Sequence, residues 1–334
     1  KNILFNEVYI VKKVLILFGG DSNEHYVSCK SARTILENID KNKYEVTSVG
    51  IKEDWYVFND NYDFLTNGNW LDSNIEKITN IIEFIKGFDV VFPIIHGNTC
   101  EDGKIQSMLE LFKIKYVGCN PCTNLLCYDK ELTKIILNNY NIPQVDYVCI
   151  SKDYNMKEII KKIEFPMIIK PCKSGSSIGI NKATNKKELK IFINEALKYD
   201  NKIIVEKFIN AKELECAIRG TDKLVISDIG EIKTNSDFYD YEAKYNDSSS
   251  KTIIPADIPH NVKIQIQALA KKVFNFLRCR GMARIDFFYN DKIYLNEINT
   301  IPGFTDISMY PMLLTNKNFS CKDLITYLIE SAFN

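Results

Sequence analysis

The chain of 334 residues is short of several things, and each shortage excludes something. It has no net charge: Lys and Arg number 43, as do Asp and Glu. That balance gives no electrostatic reason to expect nucleic acid or an anionic membrane as partner. It lacks any apolar run long enough to span a bilayer. The opening "KNILFNEVYIVKK" is broken by Glu7 and by lysines, so no secretory leader is expected, and the expected compartment is the cytoplasm. Histidine is scarce, with three scattered residues. The ten cysteines include "CNPC" (Cys119 to Cys122) and Cys127, but no second paired cluster follows. Unpaired thiols in a reducing compartment are therefore expected, rather than zinc or disulfides. There are no internal repeats or long low-complexity tracts. No segment has the Walker order of Gly-Lys followed by Ser or Thr, which excludes a P-loop NTPase.

What remains is a globular composition, 46% hydrophobic and 26% charged, long enough for two or three domains. "KKVLILFGG", "YEVTSVGI" and "FDVVFPIIHG" read as strands, and "VSCKSARTILENI" and "DGKIQSMLELFKI" as helices. The alternation predicts an α/β unit over residues 12–120. Its carboxyl-end loops, "GGDSNEH" and "HGNTCEDG", are where such units bind ligands. A small α+β unit follows, from the helix "DKELTKIIL" through the strands of "FPMIIKPCKSGSSIGI" to "KIIVEKFI", ending near residue 213. The remainder holds strands, the polar stretch "TNSDFYDYEAKYNDSSSKT", a helix at "HNVKIQIQALAKKVFNFL" and a hairpin.

Three stretches carry chemistry. In "KPCKSGSSIG" a glycine among hydroxyl residues lets backbone N–H groups approach an anion, and Lys170 supplies charge; an ordinary glycine turn reads the same way. In "VEKFINAKELE", Glu206, Phe208 and Ile209 suit an adenosine, or a plain strand exit. The hairpin "ARIDFFYNDKIYLNEINTIPGFT" is apolar, yet holds Arg284, Asp286, Glu297 and Asn299. A two-residue Asn290-Asp291 turn sets Tyr289 opposite Lys292, Asp286 opposite Leu295 and Arg284 opposite Glu297, so that all four polar residues share one face. Three oxygen donors there suit Mg²⁺, and Arg284 suits a transferring phosphoryl group; the alternative is an ion-pair ladder.

In order, "GGDSNEHYVS", "HGNTCEDG", "YDK", "KPCKSGSSIG", "VEKFI", "FYDYEAKY", "MARIDFF", "NEINTIPGFT" and "SMYP" resemble the D-alanine–D-alanine ligases of the ATP-grasp superfamily, from about residue 13 to the C-terminus. The resemblance implies a mixed α/β and α+β architecture, an ATP-grasp fold preceded by a Rossmann-like domain. The implied domains are 1–122 for the first D-alanine, 123–213 for the central ATP-grasp part, and 214–334 with lid and metal site. It implies ATP-dependent joining of two D-alanines through an acyl phosphate for peptidoglycan precursors. It further implies two Mg²⁺ ions replaceable by Mn²⁺, and a homodimer. Position by position, Lys130 and Lys170 would bind ATP phosphates, Glu206 and Glu213 the adenosine, and Phe208 and Ile209 would frame the base. Asp286, Glu297 and Asn299 would ligate the metal. Glu24 would take the first D-alanine's ammonium and form a closing set with Ser176 and Tyr245. Lys244 would contact the transferring phosphate, and His96 would lie near the first carboxylate. Arg284 and the N–H of Gly303 would stabilise the oxyanion. Ser308 and the N–H of Met309 would hold the second carboxylate.

Relatives usually carry Gly at the place of Cys100, so strain is expected there if that position needs positive φ. Pro121 and Tyr128 are further departures. Two rival readings follow. D-serine-using relatives tend to have Arg where this chain has Met309, and D-lactate enzymes usually lack the "AKY" present here. A degenerate nucleotide binder would not need the intact polar set.

Overall fold

The computed structural model describes residues 11–233 and 251–334. The first sheet contains β1 (Lys12–Gly19), β2 (Tyr44–Ile51), β3 (Trp55–Phe58), β4 (Ile75–Lys77) and β5 (Val90–Pro93), in the order β4-β3-β2-β1-β5. β1 runs parallel to β2 and β5, while β3 and β4 are added antiparallel at one edge. Val14 to Phe18 are all fully buried, as expected for a central parallel strand covered on both faces. Helix His25–Asn38 packs beside β1 through Cys29, Ala32 and Ile35. Helix Cys321–Ser331, at the far end of the chain, joins the same core with Leu324, Ile325 and Leu328.

The second sheet is small: β6 (Tyr147–Ile150), β7 (Met167–Pro171), β8 (Asn181–Ala183) and β9 (Ile203–Lys207), ordered β6-β9-β7-β8 with every pair antiparallel. Helices Met156–Lys162 and Lys186–Ala196 close it with Ile159, Leu189 and Ile193. The third sheet holds β10 (Lys212–Gly220), β11 (Val225–Lys233), β12 (Lys251–Ile253), β13 (Gly281–Tyr289) and β14 (Ile293–Asn299), ordered β12-β11-β10-β13-β14 and antiparallel throughout. Helix His260–Phe276 covers it with Ile266, Ala270, Val273 and Phe274.

The hairpin register differs from the sequence expectation. Tyr289 faces Ile293, so the loop has three residues, with Asp291 at φ 66°. That extra residue alone would turn Glu297 and Asn299 to the opposite face from Arg284 and Asp286. A bulge restores the alternation: Phe287 faces Leu295 but Asp286 faces Glu297, leaving Asn296 as the extra residue. Arg284 then faces Asn299. The shared polar face therefore holds, by a different pairing.

Two departures also resolve. The positive φ of the "HGNTCEDG" loop falls on Gly97, Thr99 and Gly103, not on Cys100, whose buried sulfur accepts from Gln106 Nε2 at 3.1 Å. Pro121 begins helix Pro121–Tyr128, where the missing N–H costs nothing, behind Asn120, which accepts from Thr123 N–H.

Candidate active site

One cavity of about 1030 Å³ lies where the three sheets meet. Its walls include Glu24, His96, Lys130, Lys170, Ser176, Glu213, Arg284, Asp286, Glu297, Asn299, Gly303, Ser308 and Met309. Glu206, Phe208 and Ile209 are not among the lining residues. Lys244 and Tyr245, with the rest of the expected lid at 234–250, lie outside the described residues.

Glu24 sits immediately before helix His25–Asn38 and accepts a hydrogen bond from Ser176 Oγ. The loop carrying Ser176 is held in the left-handed region at Ser176 (φ 48°) and Ser177 (φ 59°). Gly175 is needed for a spatial reason: an added Cβ would stand 2.0 Å from Glu24 Oε2. Beside Glu24 the cavity wall carries Glu101 and Tyr128. Glu101 accepts from the Gly97 N–H at 3.0 Å; burial, then the neighbouring Glu24, pushes its carboxyl well above the usual range. Burial likewise raises the Tyr128 phenol. Sequence reasoning quoted the loop containing Glu101 without assigning that residue.

On the second sheet, Lys170 from β7 reaches Glu206 from β9 at 2.6 Å, and Lys134 from helix Lys130–Asn139 reaches the same carboxylate at 2.8 Å. All three are buried. Burial alone would raise the Glu206 pKa, but the two ammoniums outweigh it and hold it at about 2. Lys130 Nζ donates to Ser174 O at 2.7 Å, and its backbone N–H to Cys172 O, so it braces the serine-glycine loop from below. Phe208 gives its N–H to Pro166 O, and Lys182 lies 3.7 Å over its ring.

On the third sheet, Arg284 makes two bonds to Asp286, at 2.8 and 2.7 Å, and a third contact to Glu215 at 2.9 Å. Glu215 is the β10 residue paired with Asp286. Asn299 Nδ2 donates to Asp286 Oδ2 at 3.0 Å. Burial disfavours the Arg284 charge, but Asp286 and then Glu215 outweigh it and raise its pKa well above the ordinary value. Of the two alternatives left open by the sequence, these contacts make up the ion-pair ladder. Among the described residues no three His, Cys, Asp or Glu side chains form a metal-holding group. The set Asp286, Glu297 and Asn299 supplies two carboxylates and an amide oxygen on one face. That suits a hard cation completing its coordination with phosphate and water.

The segment after β14 closes the cavity. His96 Nδ1 lies 2.9 Å from Ile301 O, and its Nε2 lies 3.0 Å from Ser31 Oγ. Ser308 Oγ sits 2.7 Å from Thr305 Oγ1 and precedes helix Met309–Leu314. Met309 is buried, its sulfur packed against Gly230. Sequence reasoning missed Ser31, Lys134, Glu101 and Glu215. The last was legible in part, because Glu213 and Glu215 alternate onto one face of a strand.

The family profile described as D-ala D-ala ligase N-terminus matches residues 13–119, and that described as D-ala D-ala ligase C-terminus matches 136–330. A D-alanine–D-alanine ligase of Clostridium acetobutylicum is 44% identical, covering 96% of this chain and 98% of that protein. One from Caldicellulosiruptor bescii is 41% identical over 96% of this chain and 94% of its own length. Among solved structures, the VanG D-Ala:D-Ser ligase from Enterococcus faecalis superposes with a TM-score of 0.87 at 35% identity, covering 96% of this chain and 99% of that one. The D-alanine–D-alanine ligase from Coxiella burnetii gives 0.81 at 31%, covering 96% and 95%. The chain belongs to the D-alanine–D-alanine ligase family.

Proposed function

We propose that this chain joins two D-alanines to D-alanyl-D-alanine at the expense of ATP, forming ADP and phosphate for peptidoglycan precursors. The observation that carries the reading is the convergence of Glu24, Ser176, Lys170 and the Arg284–Asp286–Glu297–Asn299 face on one cavity. A carboxylate is a poor electrophile, and phosphorylation makes it an acyl phosphate. In this reading Lys130 and Lys170 hold the phosphates, while Glu213, Phe208 and Ile209 border the adenosine. Glu206 serves the nucleotide by holding Lys170, its carboxylate being engaged by two lysines. Glu24, braced by Ser176 and by Tyr245, receives the ammonium of the first D-alanine beside His96. Lys244 meets the transferring phosphate. Ser308 and the N–H of Met309 take the second D-alanine's carboxylate, so that its amine faces the acyl carbon. Arg284 and the N–H of Gly303 then stabilise the oxyanion. Asp286, Glu297 and Asn299 would hold Mg²⁺, two ions or Mn²⁺ in their place, which spreads phosphate charge during transfer.

The same reading divides the chain at 1–122, 123–213 and 214–334, each part centred on one sheet. It places the protein in the cytoplasm; no described helix is long and apolar enough to cross a membrane. It also makes the protein a homodimer, supported by family likeness. Likeness to the VanG structure favours D-alanine–D-serine ligation as the second reading. Uncharged Met309 beside Ser308 offers no added donor to a serine hydroxyl and favours D-alanine. ADP release measured with and without D-alanine tests the proposal: release should depend on D-alanine, and release independent of it would leave only a nucleotide-hydrolysing homologue.

A further inference from the structure

We infer that Ser31 is a positioning residue for the oxyanion loop, acting through His96; the inference rests on the ligase reading above. The Ile301 carbonyl can only accept, so His96 Nδ1, 2.9 Å away, carries the proton and donates to it. In the neutral ring Nε2 is then an acceptor, and the group 3.0 Å from it is the Ser31 hydroxyl. Ser31 Oγ in turn accepts from the Phe304 N–H at 3.1 Å. The bonds form one directed chain, from Phe304 N–H to Ser31, from Ser31 O–H to His96, and from His96 N–H to Ile301 O. Ser31, His96, Ile301 and Phe304 are all buried.

The chain grips the loop on both sides of Gly303. Ile301 and Phe304 flank it by two residues and by one, and both are tied to groups rooted in the first sheet's layer. Ser31 belongs to helix His25–Asn38, and His96 follows β5. The helix that follows Glu24 thereby also fixes the height of the Gly303 N–H. A ring with Nδ1 on Ile301 O and Nε2 on Ser31 Oγ positions the loop. Replacing Ser31 removes the one oxygen that joins the His96 ring to the Phe304 N–H, and the loop held between them shifts. Displacement of an oxyanion donor slows attack on the acyl carbon without altering phosphoryl transfer, which depends on the lysines and the hairpin.

Two measurements test this. In a rapid-quench turnover with Mg-ATP and D-alanine, Ser31→Ala should form the first ADP at a rate within about twofold of wild type. Its dipeptide should appear about tenfold to a hundredfold more slowly. Ser31→Cys, which keeps the side-chain volume with a poor donor, should show the same split. Equal slowing of ADP and dipeptide, or slowing of neither, overturns the inference. The second measurement needs no activity. The chain has three histidines, and His96→Asn identifies one set of ring signals. With ¹⁵N-histidine, His96 should be the neutral Nδ1–H tautomer, and Ser31→Ala should move its Nε2 resonance. An Nε2–H tautomer, or no movement, overturns the inference whether or not D-alanine is the substrate. Failure of wild type to make any dipeptide, with the tautomer as stated, sinks only the ligase reading.

Discussion

The Ser176 hydroxyl donates to a carboxylate oxygen of Glu24, 152 residues earlier in the chain. It ties the loop after β7 to the start of the first long helix, and Gly175 is what lets the two come together. Loss of a hydrogen bond to a charged group costs about 1.5–3 kcal/mol, so Ser176→Ala should lower kcat/KM for D-alanine by about tenfold to a hundredfold. The KM for ATP should stay within about twofold. Gly175→Ala should be at least as severe, because the added methyl meets Glu24 Oε2. Steady-state kinetics with each substrate varied in turn distinguishes this from a general loss of fold.

Glu206 makes stability depend on acid. Its pKa is depressed from 4.5 to about 2, so its contribution is complete above about pH 5 and is lost as pH falls through that window. Glu206→Gln leaves Lys134 and Lys170 without their shared carboxylate and should cost about 3 kcal/mol or more at pH 7. The gap in melting temperature between wild type and variant should narrow from pH 5 towards pH 2. A gap constant across that range would show that the carboxylate charge is not what the lysines need.

Glu215 and Asp286 share Arg284. With Glu215→Gln, Asp286 becomes the stronger partner of the guanidinium and a poorer metal ligand. The Mg²⁺ concentration for half-maximal activity should rise several-fold, with the KM for D-alanine little changed. An unaltered magnesium titration would separate Glu215 from the metal face.

Cys100 carries no left-handed backbone, so restoring the usual glycine should bring no relief. Cys100→Gly should lose about 1–2 kcal/mol of stability through the lost buried sulfur and added chain entropy, and gain no activity. A faster and more stable glycine variant would show that Cys100 is strained after all.

β1 was readable because Val14 to Phe18 form a continuous apolar run ending in a glycine turn, and β2, though broken by Glu45, Thr47 and Ser48, keeps enough β-branched residues to read as a strand. β3 and the edge strand β4 were not, since segments of four and three residues are too short to show a period. The hairpin shows the limit most clearly. Its polar face followed from alternation, but a three-residue loop and a bulge at Asn296 are invisible in a run where every neighbour is equally strand-like. Glu24, Ser176 and the hairpin donors were legible from motif order. Ser31 and Lys134 were not, because their partners come from other elements and no spacing links them, and Glu215 was legible only through its alternation with Glu213 on one strand face.

The most direct test of the central claim is competition among equimolar D-alanine, D-serine and D-lactate with Mg-ATP, the products resolved by mass. Ser308 and the N–H of Met309 hold a carboxylate without choosing the attacking group, and uncharged Met309 adds no donor for a serine hydroxyl. D-alanyl-D-alanine should dominate, with D-alanyl-D-serine minor and depsipeptide scarce, and one ADP should form per product. Dominant D-alanyl-D-serine or depsipeptide would contradict the substrate assignment, and ADP without any ligated product would contradict the ligase itself.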